Sequence, residues 1–206
     1  MLRKIVSLSI FIAMFIFNSC SGPKLLSWDE LEIIPRAVWN ANDPKEYKTH
    51  TIERITIHHE GTFFHQDSSA LRRIKNVQTW GMGPDRKWID IPYHFLIDGK
   101  GNIIEGRNPL TVGETNTSYD PTGHVLISVI GQYHRKQVLR VEQLNSIIQL
   151  AANLCIKFNL SPDSIKGHRD FCKPNETSCP GDDIYRYIQD GTITKSVKKL
   201  LLNKLN

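Results

Sequence analysis

The chain has 206 residues, 40% of them hydrophobic and 23% charged, which argues for one domain with a real core and against a disordered polymer. The formal charge is +5, and +3 without Arg3 and Lys4, with no block of like charge beyond the short "KKLLLNK" near the end. That distribution excludes the concentrated basic face that nucleic-acid binding needs, while a mild positive charge suits an anionic matrix such as a cell wall.

In chain order, "MLRK" and the 13 uncharged residues "IVSLSIFIAMFIF" read as the basic and apolar regions of a signal peptide over residues 1–19, too short to span a bilayer comfortably. The following "FNSCSG" resembles a bacterial lipobox, with Phe17 and Asn18 departing from its usual smaller or aliphatic residues. Cys20 would then carry the lipid and residues 20–33 would form a tether. An exported protein is expected, anchored to the membrane through Cys20 and facing the periplasm or the cell surface of a bacterium. Three cysteines remain, Cys155, Cys172 and Cys179. In an oxidising compartment this odd number leaves at least one unpaired, metal-bound or joined to another chain.

The domain is expected to begin near "IIPRAVWNA". In "ERITIHHEG", Ile55 and Ile57 alternate with Thr56 and His58, the period of a strand with one buried face, so His58 and His59 point to opposite sides. Leu71, Ile74 and Val77 in "DSSALRRIKNVQTWG" have helical spacing after a Ser/Asp start signal, which predicts a short surface helix. "YHFLIDGKGNIIEGR" predicts a hairpin turning at "DGKG", and "HVLISVIGQY" a further strand after a polar loop. The longest helix is predicted in "VEQLNSIIQLAANLCIKFNL", whose apolar stripe runs through Val141, Leu144, Ile147, Ile148, Ala151, Leu154, Cys155 and Phe158. Cys155 on that stripe reads as a buried free thiol rather than a disulfide partner of Cys172. The final "TKSVKKLLLNKLN" fits either a packing helix or a surface amphipathic one. Strands and helices together indicate an α/β fold.

Three residues offer zinc ligands: His58 at a strand end, His168 at the start of "IKGHRDFCKPNETSCPG", and Cys179 eleven positions later. Three protein ligands leave a fourth position open, the pattern of a catalytic rather than a structural zinc. Spacing alone does not establish the site, because a lone histidine is more often a hydrogen-bonded surface or core residue.

Taken together, these segments resemble the type-2, zinc-dependent N-acetylmuramoyl-L-alanine amidases and their relatives, the peptidoglycan recognition proteins. "IIPRAVWNA" is similar to the family's Arg-x-x-Trp opening, "ITIHHEG" to its first ligand strand, "WIDIPYHFLIDGKGNIIEGR" to its tyrosine hairpin, and "IKGHRDF" and "ETSCPG" to its remaining ligand segments. The resemblance implies a central mixed β-sheet flanked by helices on both faces, with a zinc-containing groove, over residues 34–190, followed by a helical tail at 191–206. It further implies zinc (Zn2+) on His58, His168 and Cys179, an active-site tyrosine at Tyr93, and a threonine beside the metal at Thr177.

The implied reaction is hydrolysis of the amide between N-acetylmuramic acid and L-alanine, in peptidoglycan or muropeptides, by a monomer. Zinc brings the pKa of bound water toward ~7 and polarises the carbonyl, and a tyrosine hydroxyl can donate a hydrogen bond to the oxyanion. Three positions depart from the pattern. Ser128 stands where related muropeptide-recycling amidases carry a catalytic glutamate, Pro92 where glycine is frequent, and "VGE" at 112–114 where many members have Gly-Ala-His. Glu114 and His124 read either as groove lining or as loop surface, and Arg169 either as a contact for a substrate carboxylate or as an ion pair within its own loop.

The alternative function is a module that binds muropeptide without cutting it. A purely structural zinc domain would need a fourth ligand, for which Cys172 is the nearby candidate.

Overall fold

The computed structural model describes residues 24–45, 48–65 and 68–204. The predicted signal peptide and Cys20 lie outside these residues. No helix among the described residues is long and apolar enough to cross a membrane.

The centre is a five-stranded mixed sheet built from β1 (Arg54–His59), β2 (Phe95–Ile97), β3 (Ile103–Glu105), β4 (His124–Val129) and β5 (Lys166–Gly167), in the order β3-β2-β4-β1-β5. Only the β2–β3 hairpin is antiparallel. Asp98 closes its turn by accepting from the backbone N–H groups of Lys100 and Asn102 at 2.8 and 2.9 Å. Parallel strands need cover on both faces, and β1 and β4 have it: Ile55, Ile57, Val125 and Ile127 are all fully buried, as are Leu126 and Ser128 of opposite parity.

The helices supply that cover from two sides. Ile55, Ile57, Phe95, Ile97 and Val125 pack with α2 (Val141–Phe158), α3 (Asp182–Gln189) and α4 (Thr192–Asn203) in one core. Leu96, Ile104 and Ile91 pack with Trp39 and with Ile74 of α1 (Ala70–Gly81) in the other. The predicted stripe of α2 faces the sheet through Ile147, Ala151, Leu154 and Cys155, joined by Leu150, which it did not include, while Val141 at its start is 64% exposed. Each fully buried Ile or Leu of this stripe contributes roughly 1.5–3 kcal/mol. The helix opens with Gln143 accepting from the Arg140 amide at 3.1 Å and closes on Asn159 in the left-handed region at φ 52°.

Residues 24–33, expected as part of a tether, are folded onto α2: the Leu26 amide donates to Gln149 at 3.0 Å, Asn153 donates to the Leu26 carbonyl at 2.9 Å, and Trp28 meets Phe95 edge-on. Their apolar residues lack a period because they make an irregular strap with a single 3-10 turn at Asp29–Leu31. The segment after residue 190 is a packing helix, α4, which buries Ile193, Val197 and Leu200. α3 is an element that the sequence reading did not anticipate.

Candidate metal centre

β1 and the segment after β5 bring the three expected ligands together at one end of the sheet. His58 stands at the C-terminal end of β1, on the face opposite to Ile57, and pairs in register with Ser128 of β4. His168 follows β5 directly, and β5 is hydrogen-bonded to β1. Cys179 returns to the same point because Arg169 holds both ends of the intervening loop. The Arg169 amide and Nε donate to the Cys179 carbonyl at 3.1 and 3.2 Å, its guanidinium also contacts the Ser178 carbonyl, and it pairs with Asp182 at 3.0 Å. Arg169 thus makes an ion pair, with the first residue of α3 rather than within its own loop. After Cys179 the chain passes Gly181, at φ +90°, where a Cβ would lie 2.3 Å from the Tyr133 backbone, so this turn requires glycine.

The ligand atoms offered by His58, His168 and Cys179 lie within 4.8 Å of one another, and all three residues are buried. His58 Nδ1 is 3.6 Å from Cys179 Sγ, and the two imidazole centroids are 4.5 Å apart. Cys172 stands outside this cluster, with Sγ 3.5 Å from the His168 carbonyl, so the set is three donors rather than four. Cys155, Cys172 and Cys179 are all free, and Cys155 is buried on the α2 stripe as expected.

Burial sets the electrostatics. Desolvation lowers the pKa of His58 well below its ordinary value and brings His168 down to about 4, so both rings are neutral near pH 7. Desolvation also pushes the Cys179 thiol up to about 12, against a small opposing contribution from the His59 amide, which donates to Sγ at 3.3 Å. Two neutral imidazoles and one thiol, buried together with no carboxylate in the cluster, form a donor set chemically suited to zinc.

Tyr93 lies against this cluster, its ring centroid 5.5 Å from that of His58. Desolvation, then the nearby Cys179 and Glu60, raise its phenol well above the usual value, so it remains a donor at any physiological pH. Ser128, fully buried, stands beside the same phenol and opposes the rise. Thr177 accepts from the Cys179 amide at 3.1 Å and so braces the ligand's backbone.

His59 packs on the opposite side of the strand, as alternation predicts, and accepts from the Tyr133 amide at 3.2 Å. Glu114 is tied into the fold rather than free on a loop surface. Its carboxylate pairs with the buried guanidinium of Arg107, which donates through Nε to the Ile91 carbonyl at 2.8 Å and so staples the approach to Tyr93. His124 is buried under the site, with Nδ1 2.7 Å from Thr56 Oγ1 and its ring edge-on to Phe171.

One group of site residues escaped the sequence reading. The polar loop before β4 places Thr117 Oγ1 2.7 Å and Thr115 Oγ1 3.4 Å from His168 Nε2, and Tyr119 Oη 3.5 Å from His58 Nε2. The only trace in sequence is the hydroxyl-rich string "TNTSYD", which has no period and no motif.

Residues 48–182 match the family model of the N-acetylmuramoyl-L-alanine amidases. The chain is similar to peptidoglycan recognition protein 1 of Bos indicus, 30% identical over 162 residues, which cover 76% of this chain and 82% of that one. Among solved structures it is similar to peptidoglycan recognition protein-LE in complex with tracheal cytotoxin, a monomeric diaminopimelic acid-type peptidoglycan. There the identity is 31% and the TM-score 0.67, over 77% of this chain and 92% of that one. The amidase LysC from Clostridium intestinale shares the fold, with a TM-score of 0.63 at 21% identity over 78% of this chain and 95% of the other.

Proposed function

Since the chain belongs to the N-acetylmuramoyl-L-alanine amidase family, we propose that it hydrolyses the amide between N-acetylmuramic acid and L-alanine in peptidoglycan or its fragments, using zinc held by His58, His168 and Cys179. The observation that carries this reading is the convergence of those three donors beside the protonated phenol of Tyr93. Zinc, when bound there, supplies the Lewis acidity that polarises an amide carbonyl and lets water attack near neutral pH.

The protein's own groups do the rest. Tyr93 donates its O–H toward the carbonyl oxygen as negative charge develops on it, a role its raised pKa suits because the proton is not given up. Thr177, whose oxygen is engaged by the Cys179 amide, keeps its O–H as a second donor for substrate. Ser128 has no carboxylate with which to accept a proton, so the proton lost by the attacking water passes to the departing nitrogen of L-alanine while Tyr93 holds the oxyanion.

A second reading is favoured by the relatives, several of which are named as recognition proteins, one of them solved with a bound muropeptide. Under that reading the protein binds muropeptide and leaves the bond intact. The two are separated by incubating the protein lacking residues 1–20, and its Cys179→Ser variant, with a defined muramoyl-peptide and with purified peptidoglycan. New L-alanine amino termini are then counted by mass spectrometry. Release by the parent alone supports the amidase; bound muropeptide and bound zinc without release from either protein support the binding module.

We further propose export with a lipid on Cys20, supported by the basic-then-apolar leader and the lipobox resemblance. Fatty-acid labelling of the expressed protein should be lost in Cys20→Ala.

A further inference from the structure

Each candidate ligand histidine has its Nε2 facing a hydroxyl of the loop before β4. His58 turns Nδ1 toward Cys179 Sγ at 3.6 Å and Nε2 toward Tyr119 Oη at 3.5 Å, the outer limit of a hydrogen bond. His168 has Nε2 2.7 Å from Thr117 Oγ1, which leaves Nδ1 as its nitrogen for the metal. Imidazoles that ligate metals are commonly held this way, with the second ring nitrogen engaged by a fixed partner that sets tautomer and ring orientation.

Here the partners are hydroxyls from one loop. Thr115 Oγ1 accepts from the Thr117 amide at 3.2 Å and lies 2.7 Å from Thr117 Oγ1, so the Thr117 hydroxyl can donate to Thr115 and keep a lone pair for His168 Nε2–H. The loop is also clamped to the ligand segment. Ser118 donates through its amide and its hydroxyl to the Glu176 carboxylate, each at 2.6 Å, and Glu176 accepts from the Lys173 amide at 3.1 Å. The Tyr119 ring covers the pair, 4.9 Å from the His168 ring and 5.9 Å from Phe171.

We propose that Thr117 and Tyr119 are positioning residues that hold His168 and His58 as Nε2–H tautomers and so present both Nδ1 atoms to one metal ion. This assignment rests on the metal reading given above. It places the control of metal affinity in the 115–119 loop rather than in the ligands' own strands.

The test compares the parent with Thr117→Val, Thr117→Ser and Tyr119→Phe, using zinc affinity from competition with a chromophoric chelator and histidine tautomers from long-range nitrogen–proton NMR of the metal-free proteins. Thr117→Val should weaken zinc ~10–100-fold, and Thr117→Ser, which keeps the hydroxyl, should restore it to near the parent value. Tyr119→Phe should weaken zinc in the same direction. His168 should be the Nε2–H tautomer in the parent and in Thr117→Ser, and a mixture in Thr117→Val. Because the tautomer is read on the parent, the test survives a variant that fails to fold. An Nδ1–H tautomer at His168 in the parent, or unchanged zinc affinity in both Thr117→Val and Tyr119→Phe, overturns the proposal. A parent that binds no zinc at all overturns instead the metal reading beneath it.

Discussion

Cys179 is the residue whose charge state the proposed zinc would have to change. Its thiol, pushed up to about 12 by burial, is protonated at neutral pH, whereas His58 and His168 are already neutral. Zinc binding at pH 7 should therefore release at least one proton per ion, because the metal takes the thiolate form, with any further fraction coming from the zinc-bound water and none from the two histidines. Calorimetry in buffers of different ionisation heat measures this, and release of no proton would contradict the assignment. At Tyr93 the phenol acts only through its O–H, so Tyr93→Phe should keep zinc affinity and lower turnover by ~10²–10³, the cost of one oxyanion donor. Steady-state assays on a muramoyl-peptide, with metal content measured in parallel, separate that outcome from a lost metal.

The β2–β3 hairpin is the element that holds Tyr93 in place. Gly106 donates to the His94 carbonyl at 2.9 Å while Arg107 donates to that of Tyr93 at 2.8 Å, and a Cβ on Gly106 would stand 2.3 Å from the Tyr93 carbonyl oxygen. The obstacle is backbone, which cannot rotate aside. Gly106→Ala should cost ~1–3 kcal/mol, as overpacking does, and reduce activity through Tyr93 while zinc affinity persists. Urea unfolding and a zinc titration on the same variant check both halves. At this scale the sequence was readable where side chains repeat. Ile74 of α1 and the stripe of α2 were visible as helical periods, and Ile55 and Ile57 as a strand. α3 was not, since its eight residues bury only Ile184, and neither was the strap at 24–33, whose contacts with Gln149 and Asn153 follow no period.

Across the whole molecule, three histidines outside the proposed ligand set, His59, His94 and His124, are buried as neutral rings. Desolvation brings His59 and His124 down to about 4 and His94 to about 3, and His94 is held by the Leu126 amide at 2.7 Å and the Thr111 carbonyl at 2.8 Å. Each folded value lies below the unfolded one of 6.5, so the unfolded chain takes up protons first as pH falls. Stability of the metal-free protein should hold above about pH 6.5 and decline toward pH 4, each ring contributing up to ~1.4 kcal/mol per pH unit. Denaturant midpoints across that range test the expectation, and a midpoint unchanged between pH 7 and 4.5 would contradict it.

The sequence by itself determined which residues could serve as ligands and which elements could carry them. His58 at a strand end, and His168 and Cys179 in one loop, are chemical identities, and strand alternation alone separates His58 from His59. Tertiary structure alone decided that the three donors meet, that Cys172 stays outside, that Glu114 serves Arg107, and that loop hydroxyls face Nε2 of His168 and His58. Those outcomes depend on contacts such as Thr117 to His168, 51 residues apart, and Cys179 to His58, 121 residues apart. A contact of that kind forms because two loops are clamped to one sheet end, and no local period of side chains records it.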